Sequence, residues 1–398
     1  MRILMISDVY FPRVNGVSTS IQTFRREFKK LGHEVTLVTP AYPSKIEDDK
    51  NIIRVPSHYL MFDPEDRFMR PANIRKFTEH FKEGDFDLMH IQTPFVAHYA
   101  GIELANKLNI PRVETYHTFF EEYLFHYVPF LPKEWLRAFA RRFSRTQCNN
   151  LDGLIVPSRA MSEVLQNYGV TTPVEIIPTG MELERFNGGD GHTFRRKMNI
   201  PDNRPTLIFV GRVAFEKNID FLLRVTKQIR NAIPDILFII AGEGPALNNL
   251  KKQVTEMQLQ DNVLFVGYLD RQTELLDCYR AGDIFVFASR TETQGLVLLE
   301  AMALGVPVVS TAVMGTKDIL NPQKGAIIAE ENEADFSAKV VSLLQNDILR
   351  KKLSEEAKEY VKTWSAPEMA RRQIQFYQKI IETENRSLKT PLRLISKS

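Results

Sequence analysis

The chain has 398 residues, enough for two domains of ordinary size. With 43% hydrophobic and 25% charged residues it has the make-up of a folded globular protein, which excludes a disordered or collagen-like chain. Its net charge of +3 is too small to imply nucleic acid as a partner, and no apolar run approaches the ~18–20 residues of a membrane-spanning helix.

Met1–Asp8 reads as a short strand with an acidic end and lacks the longer apolar stretch and small-residue cleavage site of a signal peptide. Further apolar runs follow at 35–39, 52–55, 86–91, 112–116, 153–157 and 174–178, alternating in large part with longer amphipathic stretches. That is the pattern of a parallel sheet covered by helices. A helix near 17–31 ends at Gly32, a C-cap signal. Asn187-Gly188-Gly189-Asp190-Gly191 is the clearest flexible stretch. Pro201 and Pro205 then precede a second series at 206–211, 236–241, 263–267, 284–288, 307–310 and 325–329. The expected architecture is α/β, with two Rossmann-like parallel-sheet domains at 1–185 and 200–365 and a further helix at 366–382. Cys148 and Cys278 fall in different domains, so no disulfide framework is expected and a reducing cytoplasm is the simplest home.

Two loops carry the chemistry. In residues 289–309 a polar loop holding Glu292 follows an apolar strand, and Gly295 then opens a helix that carries Glu300. Such a turn aims unpaired backbone N–H groups and the positive helix end at one spot, which suits a phosphate. Glu292 and Glu300 beside it suit the vicinal hydroxyls of a hexose and a ribose. Phosphate and sugar together describe a nucleotide sugar. The plainer reading makes Glu292 a surface acid and Glu300 a solvated helix residue. Residues 206–218 oppose it: a buried strand, Gly211, then Arg212 and Lys217 on the loop entering the next helix. An Arg fork and a Lys point charge on one such loop form a diphosphate clamp.

Gly-Arg-x-x-x-Glu-Lys-Asn at 211–218, followed by Glu292, seven residues and Glu300, resembles retaining glycosyltransferase family four, of the two-domain GT-B fold. Asn15-Gly16, Tyr116-His117-Thr118, Val156-Pro157-Ser158 and Ile177-Pro178-Thr179-Gly180 extend the resemblance along nearly the whole chain. It implies two facing domains with a cleft between them, the acceptor on the first and the nucleotide on the second, and a last helix crossing back to the first. Arg212 and Lys217 would stabilise the leaving diphosphate, helped by the N–H groups of Gly295, Leu296 and Val297. Glu300 would hold the ribose, Glu292 the transferred sugar, and the loop around Tyr268 the base. Gly16 would let the first loop approach the donor, although Asn15 stands where many relatives have a second glycine. His117, at a strand's carboxyl end, matches the family's cleft histidine and would hydrogen-bond the donor sugar. In the retaining mechanism inferred for the family, the leaving phosphate takes the acceptor's proton on the same face. Glu292 as a covalent nucleophile is the minority alternative. No Cys pair at short spacing, no His-Glu-x-x-His and no Asp-x-Asp of the metal-holding kind is evident, so no metal or other cofactor is expected.

The acceptor is less defined. Residues 133–145 make a basic amphipathic helix in which Trp135, Leu136, Phe139 and Phe143 can share one side while Arg137, Arg141 and Arg145 recur on another. Such a helix can lie on an anionic membrane, and it can equally pack its aromatic side on the domain. An aromatic loop at 119–131 precedes it. Tyr-His-Thr-x-x-Glu-Glu-Tyr, Leu-Asp-Gly-Leu-Ile-Val-Pro-Ser-Arg and Thr-Glu-Thr-Gln-Gly-Leu are similar to bacterial glucosyl-diacylglycerol synthases, with related lipid mannosyltransferases sharing much of the pattern. The resemblance implies glucose or mannose as the sugar, a membrane lipid as acceptor, and a place on the inner face of the cell membrane. The rival readings are a glycosyltransferase of polysaccharide or lipopolysaccharide assembly, a nucleotide-sugar epimerase and a non-catalytic sugar-binding protein. A nicotinamide dehydrogenase is disfavoured, since Asp8–Val17 has Gly16 alone where Gly-x-Gly-x-x-Gly is needed.

Overall fold

Runs of residues that are apolar on every position cannot face water on either side, and both halves of the chain bury them in parallel sheets. The computed structural model describes residues 1–13, 15–43, 48–60, 63–117 and 133–389, without side chains at 60, 63–66, 133 and 385–389. They form two compact units, one of Met1–Gly180 with the last helix from Ala366, the other of Met181–Ser365.

In the first unit the strands are β1 (Arg2–Ile6), β2 (Glu34–Pro40), β3 (Ile52–Val55), the outlying hairpin of β4 (Ser57–Leu60) and β5 (Asp63–Met69), then β6 (Leu88–Ile91), β7 (Arg112–Thr115), β8 (Gly153–Val156) and β9 (Val174–Ile176). The seven-stranded sheet has the order β3-β2-β1-β6-β7-β8-β9, and every pair in it is parallel. Helices α1 (Gly16–Lys30), α2 (Pro71–Phe77), α3 (Val96–Leu108), α4 (Lys133–Cys148) and α5 (Arg159–Asn167) make the crossovers among the described residues.

The second unit repeats the plan. Helix α6 (Gly191–Lys197) leads into β10 (Thr206–Val210), α7 (Ile219–Ala232), β11 (Leu237–Ala241), α8 (Leu247–Glu256), β12 (Val263–Gly267), α9 (Glu274–Arg280) and β13 (Ile284–Phe287). Then come α10 (Leu296–Ala303), β14 (Val308–Ser310), α11 (Thr316–Leu320), β15 (Ala326–Ile328), α12 (Glu333–Leu344) and α13 (Asp347–Val361). The sheet order is β12-β11-β10-β13-β14-β15, again all parallel. Phe209, Phe285 and Phe287 stack at its centre, with ring centroids 5.8 Å and 6.0 Å apart. Each such buried side chain contributes roughly 1.5–3 kcal/mol.

The last helix, α14 (Ala366–Lys389), belongs to the first unit. Met369, Ala370, Ile374, Tyr377 and Ile380 recur at helical spacing and are buried with Phe28 of α1 and with the sheet. Phe376 and Ile380 close over Gly153 of β8, where a Cβ would lie 2.9 Å from the Phe376 ring.

Two expectations need correction. The unit boundary is at Gly180–Met181, ahead of the 185–200 stretch, because Phe194 and Ile200 are buried in the second core. Nor does the stretch 187–191, whose composition reads as flexible, lie free of the second unit. Asp190 caps α6 by accepting from His192 N, and its own N–H donates to Asp277 Oδ1 at 2.6 Å. A Cβ on Gly191 would lie 2.3 Å from the Arg280 carbonyl oxygen, so the glycine lets two backbones touch. Cys148 and Cys278 are both free and buried.

Gly191→Ala is therefore expected to destabilise the second unit by about 1–3 kcal/mol, seen as a lower urea midpoint. Gly188→Ala, whose Cβ would meet nothing nearer than Leu276 at 3.9 Å, should stay within about 0.5 kcal/mol of the parent. Equal midpoints for the two variants would contradict the tight seat at 191.

Candidate active site

In a parallel sheet every strand leaves at the same edge, and a crevice opens where the order reverses. In the second unit that point lies between β10 and β13, since β11 flanks β10 on its other side. The loops leaving these two strands hold Arg212, Lys217 and Glu292. Phe215–Lys217 is a single 3-10 turn, and Asn218 in left-handed conformation (φ 56°) starts α7. Its side-chain amide donates to Ala288 O and Glu331 Oε1, both at 3.2 Å, while Arg290 N donates to Glu216 O at 3.4 Å. The two loops are thus bonded to each other. Across them Lys217 Nζ donates to Glu292 Oε1, and both side chains are about four-fifths buried. An ammonium has three N–H groups, so Lys217 held this way keeps donors for an anion. Arg212 is exposed on the same loop.

Gly295 caps α10 with φ +92°, a conformation that a side chain disfavours, and a Cβ there would press on Thr316 Cγ2 at 3.0 Å. The N–H groups of Gly295, Leu296 and Val297 lie at the helix start, where no intrahelical acceptor exists. Glu300, in the same helix, is only 6% exposed. Its Oε1 accepts from Arg271 Nη2 and its Oε2 from the Tyr279 hydroxyl, each at 2.9 Å. Burial, then the charge of Glu300, holds the Tyr279 hydroxyl well above its ordinary pKa, so it stays a proton donor. Each carboxylate oxygen keeps a second lone pair for a ligand. Tyr268, just past β12 on the same edge, is 62% exposed. Neither Arg271, in the turn before α9, nor Tyr279, on α9, is marked in the sequence, because a residue that orients a buried acid resembles any other arginine or tyrosine.

In the first unit, Asn15 accepts from Ser18 N at 2.8 Å and caps α1, which gives this departure from the double-glycine pattern a structural role. Gly16 is the first helical residue, and nothing lies within 4 Å of the place a Cβ would take. His117 follows β7 and is half-buried; its Nε2–H donates to Gln92 Oε1 at 3.2 Å. Desolvation lowers its pKa to about 4, so the imidazole is neutral at pH 7. Gln92 leaves β6 at the same carboxyl edge, a position that could have drawn it from the sequence as it drew His117. The sequence does contain one Asp-x-Asp triplet, Asp85–Asp87. It lies at the opposite, amino end of β6, where Asp87 accepts from Arg2 and Asp85 from Lys82 N.

On α4 the aromatic stripe divides. Leu136, Ala140 and Ser144 are buried, while Trp135 (75% exposed) and Phe139 (59%) project outward and Phe139 stacks on Phe143 at 5.9 Å. Arg137 donates to Glu134, the Arg141 guanidinium lies 5.7 Å from the Tyr168 ring centre, and Arg145 is exposed. At helical spacing the arginine nearest the outward aromatics is Arg142, which the four-residue count passes over. The aromatic loop at 119–131 lies outside the described residues.

Comparison with known proteins gives the family. Residues 14–185 match glycosyltransferase family 4, and residues 190–360 match the glycosyl transferases group 1. Among curated relatives, alpha-monoglucosyldiacylglycerol synthase of Streptococcus pneumoniae is 32% identical over 97% of this chain and 87% of its own length. The enzyme of the same name from Acholeplasma laidlawii is 27% identical over 98% and 99%. Sucrose-phosphate synthase from Thermosynechococcus elongatus superposes with a TM-score of 0.78 at 21% identity, over 96% of this chain and 99% of that one. Anabaena Alr3699/HepE bound to UDP-glucose gives 0.72 at 16%, over 97% and 99%. These likenesses show the GT-B fold. With both halves matched in order and a relative at 32% identity across nearly its whole length, the chain belongs to the family 4, group 1 glycosyltransferases.

Proposed function

We propose that this glycosyltransferase is a retaining enzyme that moves a hexose, glucose or mannose, from a nucleotide diphosphate sugar to a membrane lipid such as diacylglycerol or a glycolipid. The observation that carries the reading is the meeting of Lys217 and Glu292 beside the open N-terminus of α10. This reading sets the cations Arg212 and Lys217 and three backbone donors against the diphosphate, and two acids against sugar hydroxyls. The names of the relatives support the acceptor, since two are monoglucosyldiacylglycerol synthases. Others are named as GDP-mannose-dependent alpha-mannosyltransferases, which keeps mannose in view.

In this reading Arg212 and Lys217 hold the diphosphate without a metal, Glu300 the ribose and Glu292 the hexose. Tyr268 frames the base, Gly16 lets the first loop approach the donor, and His117 bonds the sugar. The bond from the sugar's anomeric carbon to the diphosphate oxygen breaks with its electron pair going to that oxygen. The acceptor hydroxyl oxygen bonds to the same carbon on the same face, and its proton passes to the departing phosphate. Charge grows on the diphosphate, so fixed donors there lower the barrier.

The chain should form a new hexosyl lipid when incubated with UDP-glucose, GDP-mannose and other nucleotide sugars beside total bacterial lipid, as read by mass analysis. Transfer to soluble glycan alone would move the acceptor to polysaccharide assembly. Free epimerised sugar without acceptor would replace transfer by epimerisation.

Helix α4 is proposed to lie on anionic membrane through Trp135 and Phe139, with Arg137, Arg141 and Arg145 adding long-range attraction of about 1 kcal/mol per basic residue near the surface. Vesicle binding should rise with anionic lipid and fall with salt. Trp135→Ser with Phe139→Ser should weaken it at every salt concentration, and the three arginines changed to Gln should reduce the salt dependence, Arg142 keeping part of it. Unchanged binding in both variants would contradict a membrane role for α4.

A further inference from the structure

Arginines and tyrosines alternate in the first unit beside the carboxyl ends of β1 and β2, where Tyr10 and Tyr42 follow the two strands. The Arg25 guanidinium lies 5.9 Å from the Tyr10 ring centre, and that of Arg54 lies 5.6 Å from Tyr10 and 6.0 Å from Tyr42. Arg67 comes next, 5.6 Å from the Tyr42 ring centre and 3.7 Å from that of Tyr59. Strand pairing assembles the row. Arg54 of β3 lies opposite Thr39 of β2, and Tyr59 and Arg67 face each other across the β4–β5 hairpin.

Two of these guanidinia have a counterion. Asp48 accepts from Arg54 Nε at 2.7 Å and Nη2 at 2.8 Å, and Asp49 accepts from Arg25 Nη2 with both oxygens, at 3.2 Å and 3.0 Å. The third has none. Arg67 is only 8% exposed, yet among the described residues no carboxylate or carbonyl accepts from its guanidinium. Stacking on Tyr59 covers a face of the group and leaves the N–H donors in its plane unmet. Such stacking contributes less than a mostly buried cation costs when its hydrogen bonds go unmade. The neighbouring groups are donors too. The Tyr42 hydroxyl is buried and its proton has no acceptor, while the Tyr10 N–H points toward its oxygen short of hydrogen-bond geometry. Burial raises the Tyr42 pKa against the charges of Arg13, Arg54 and Arg67, so the phenol stays protonated. Arg25 Nε is buried without a partner as well.

We propose that Arg67 and the Tyr42 hydroxyl seat a phosphate group of a ligand, in the place that Asp48 and Asp49 fill for the other two arginines. A site of donors alone, ringed by guanidinia, calls for a group of acceptors alone. A tetrahedral phosphate offers oxygens in several directions to a guanidinium fork and a phenol, whereas a carboxylate offers two in one plane. A soluble phosphate ester and a phospholipid headgroup present the same oxygens. The seat belongs to the first unit, whereas Arg212 and Lys217 belong to the second, so it stands or falls apart from the diphosphate clamp.

The test is calorimetric titration of the full chain with inorganic phosphate, glycerol 1-phosphate and a short-chain phosphatidylglycerol below its micelle concentration, with acetate as the control. It is run in the parent and in Arg212→Ala with Lys217→Met, which removes the clamp of the second unit and should keep this binding. In that background Arg67→Met should weaken the tightest of the phosphates about ten- to a hundredfold, as expected for loss of a charged hydrogen bond, and Tyr42→Phe should weaken it by less. The phosphate bound most tightly identifies the source: the soluble esters, or the lipid headgroup. Urea unfolding is the second reading. Without phosphate, Arg67→Met should unfold at the parental midpoint or above it, since it removes an unmet charge, and phosphate should raise the midpoint of the parent more than that of the variant. A lower midpoint in Arg67→Met, together with phosphate binding unchanged in Tyr42→Phe, would make the arginine a structural stack and overturn the proposal. Acetate bound as tightly as phosphate, or no phosphate bound once the second-unit clamp is removed, would overturn it too, and either result leaves the glycosyltransferase reading standing.

Discussion

All-parallel pairing is the constraint on which the rest depends. A strand that pairs in parallel must be re-entered from the far side through a crossover, so every loop after a strand opens at one edge. Both sheets here obey this, in orders that reverse at β1 and at β10. The candidate groups of the second unit, Arg212, Lys217, Tyr268, Glu292 and the start of α10, are scattered over more than eighty residues. They share an edge because β10, β12 and β13 are parallel. The same holds for Gln92 and His117 after β6 and β7. The sheets therefore gather the chemistry, and the loops decide what it is.

Within that frame, charge is placed with support rather than left in solvent. Lys217 and Glu292 come from neighbouring loops and neutralise each other, which limits the cost of partly burying either. Glu300 is more deeply enclosed and is matched by Arg271 and by the neutral donor Tyr279. His117 is kept uncharged by desolvation. The result is a set of groups held in place by partners before a ligand arrives, which is the condition for electrostatic catalysis without reorganisation.

Much of the fold is legible in the sequence because strands buried on both faces, such as β6, β10, β11 and β13, read as apolar runs, and thirteen runs, some broken by a charge as at Arg54 and Glu175, correspond to the thirteen strands of the two main sheets. The β4–β5 hairpin was not legible: Asp63–Met69 is largely polar and pairs outside the sheet, so neither alternation nor an apolar run marks it. The stretch 187–191 reads as flexible because composition does not distinguish a glycine needed for freedom from one needed for contact. Glu292, Glu300, Lys217 and His117 stood out because they follow strands. Arg271 and Tyr279 do not stand out, since their role is defined by what lies across the fold from them. The outward pair Trp135 and Phe139 was hidden inside a stripe that Leu136 shares, and one residue of helical phase separates the two faces.

The edge of β10 and β13 is proposed to bind a nucleoside diphosphate through protein cations. Calorimetric titration of UDP, GDP and ADP in EDTA, beside the corresponding nucleosides and the variants Arg212→Ala and Lys217→Met, tests it most directly. One diphosphate should bind the parent without metal and bind each variant roughly ten- to a hundredfold more weakly, as expected for loss of a charged hydrogen bond, while nucleoside binding stays the same. Diphosphate binding that vanishes in EDTA, or that both variants retain at parental strength, would contradict the account.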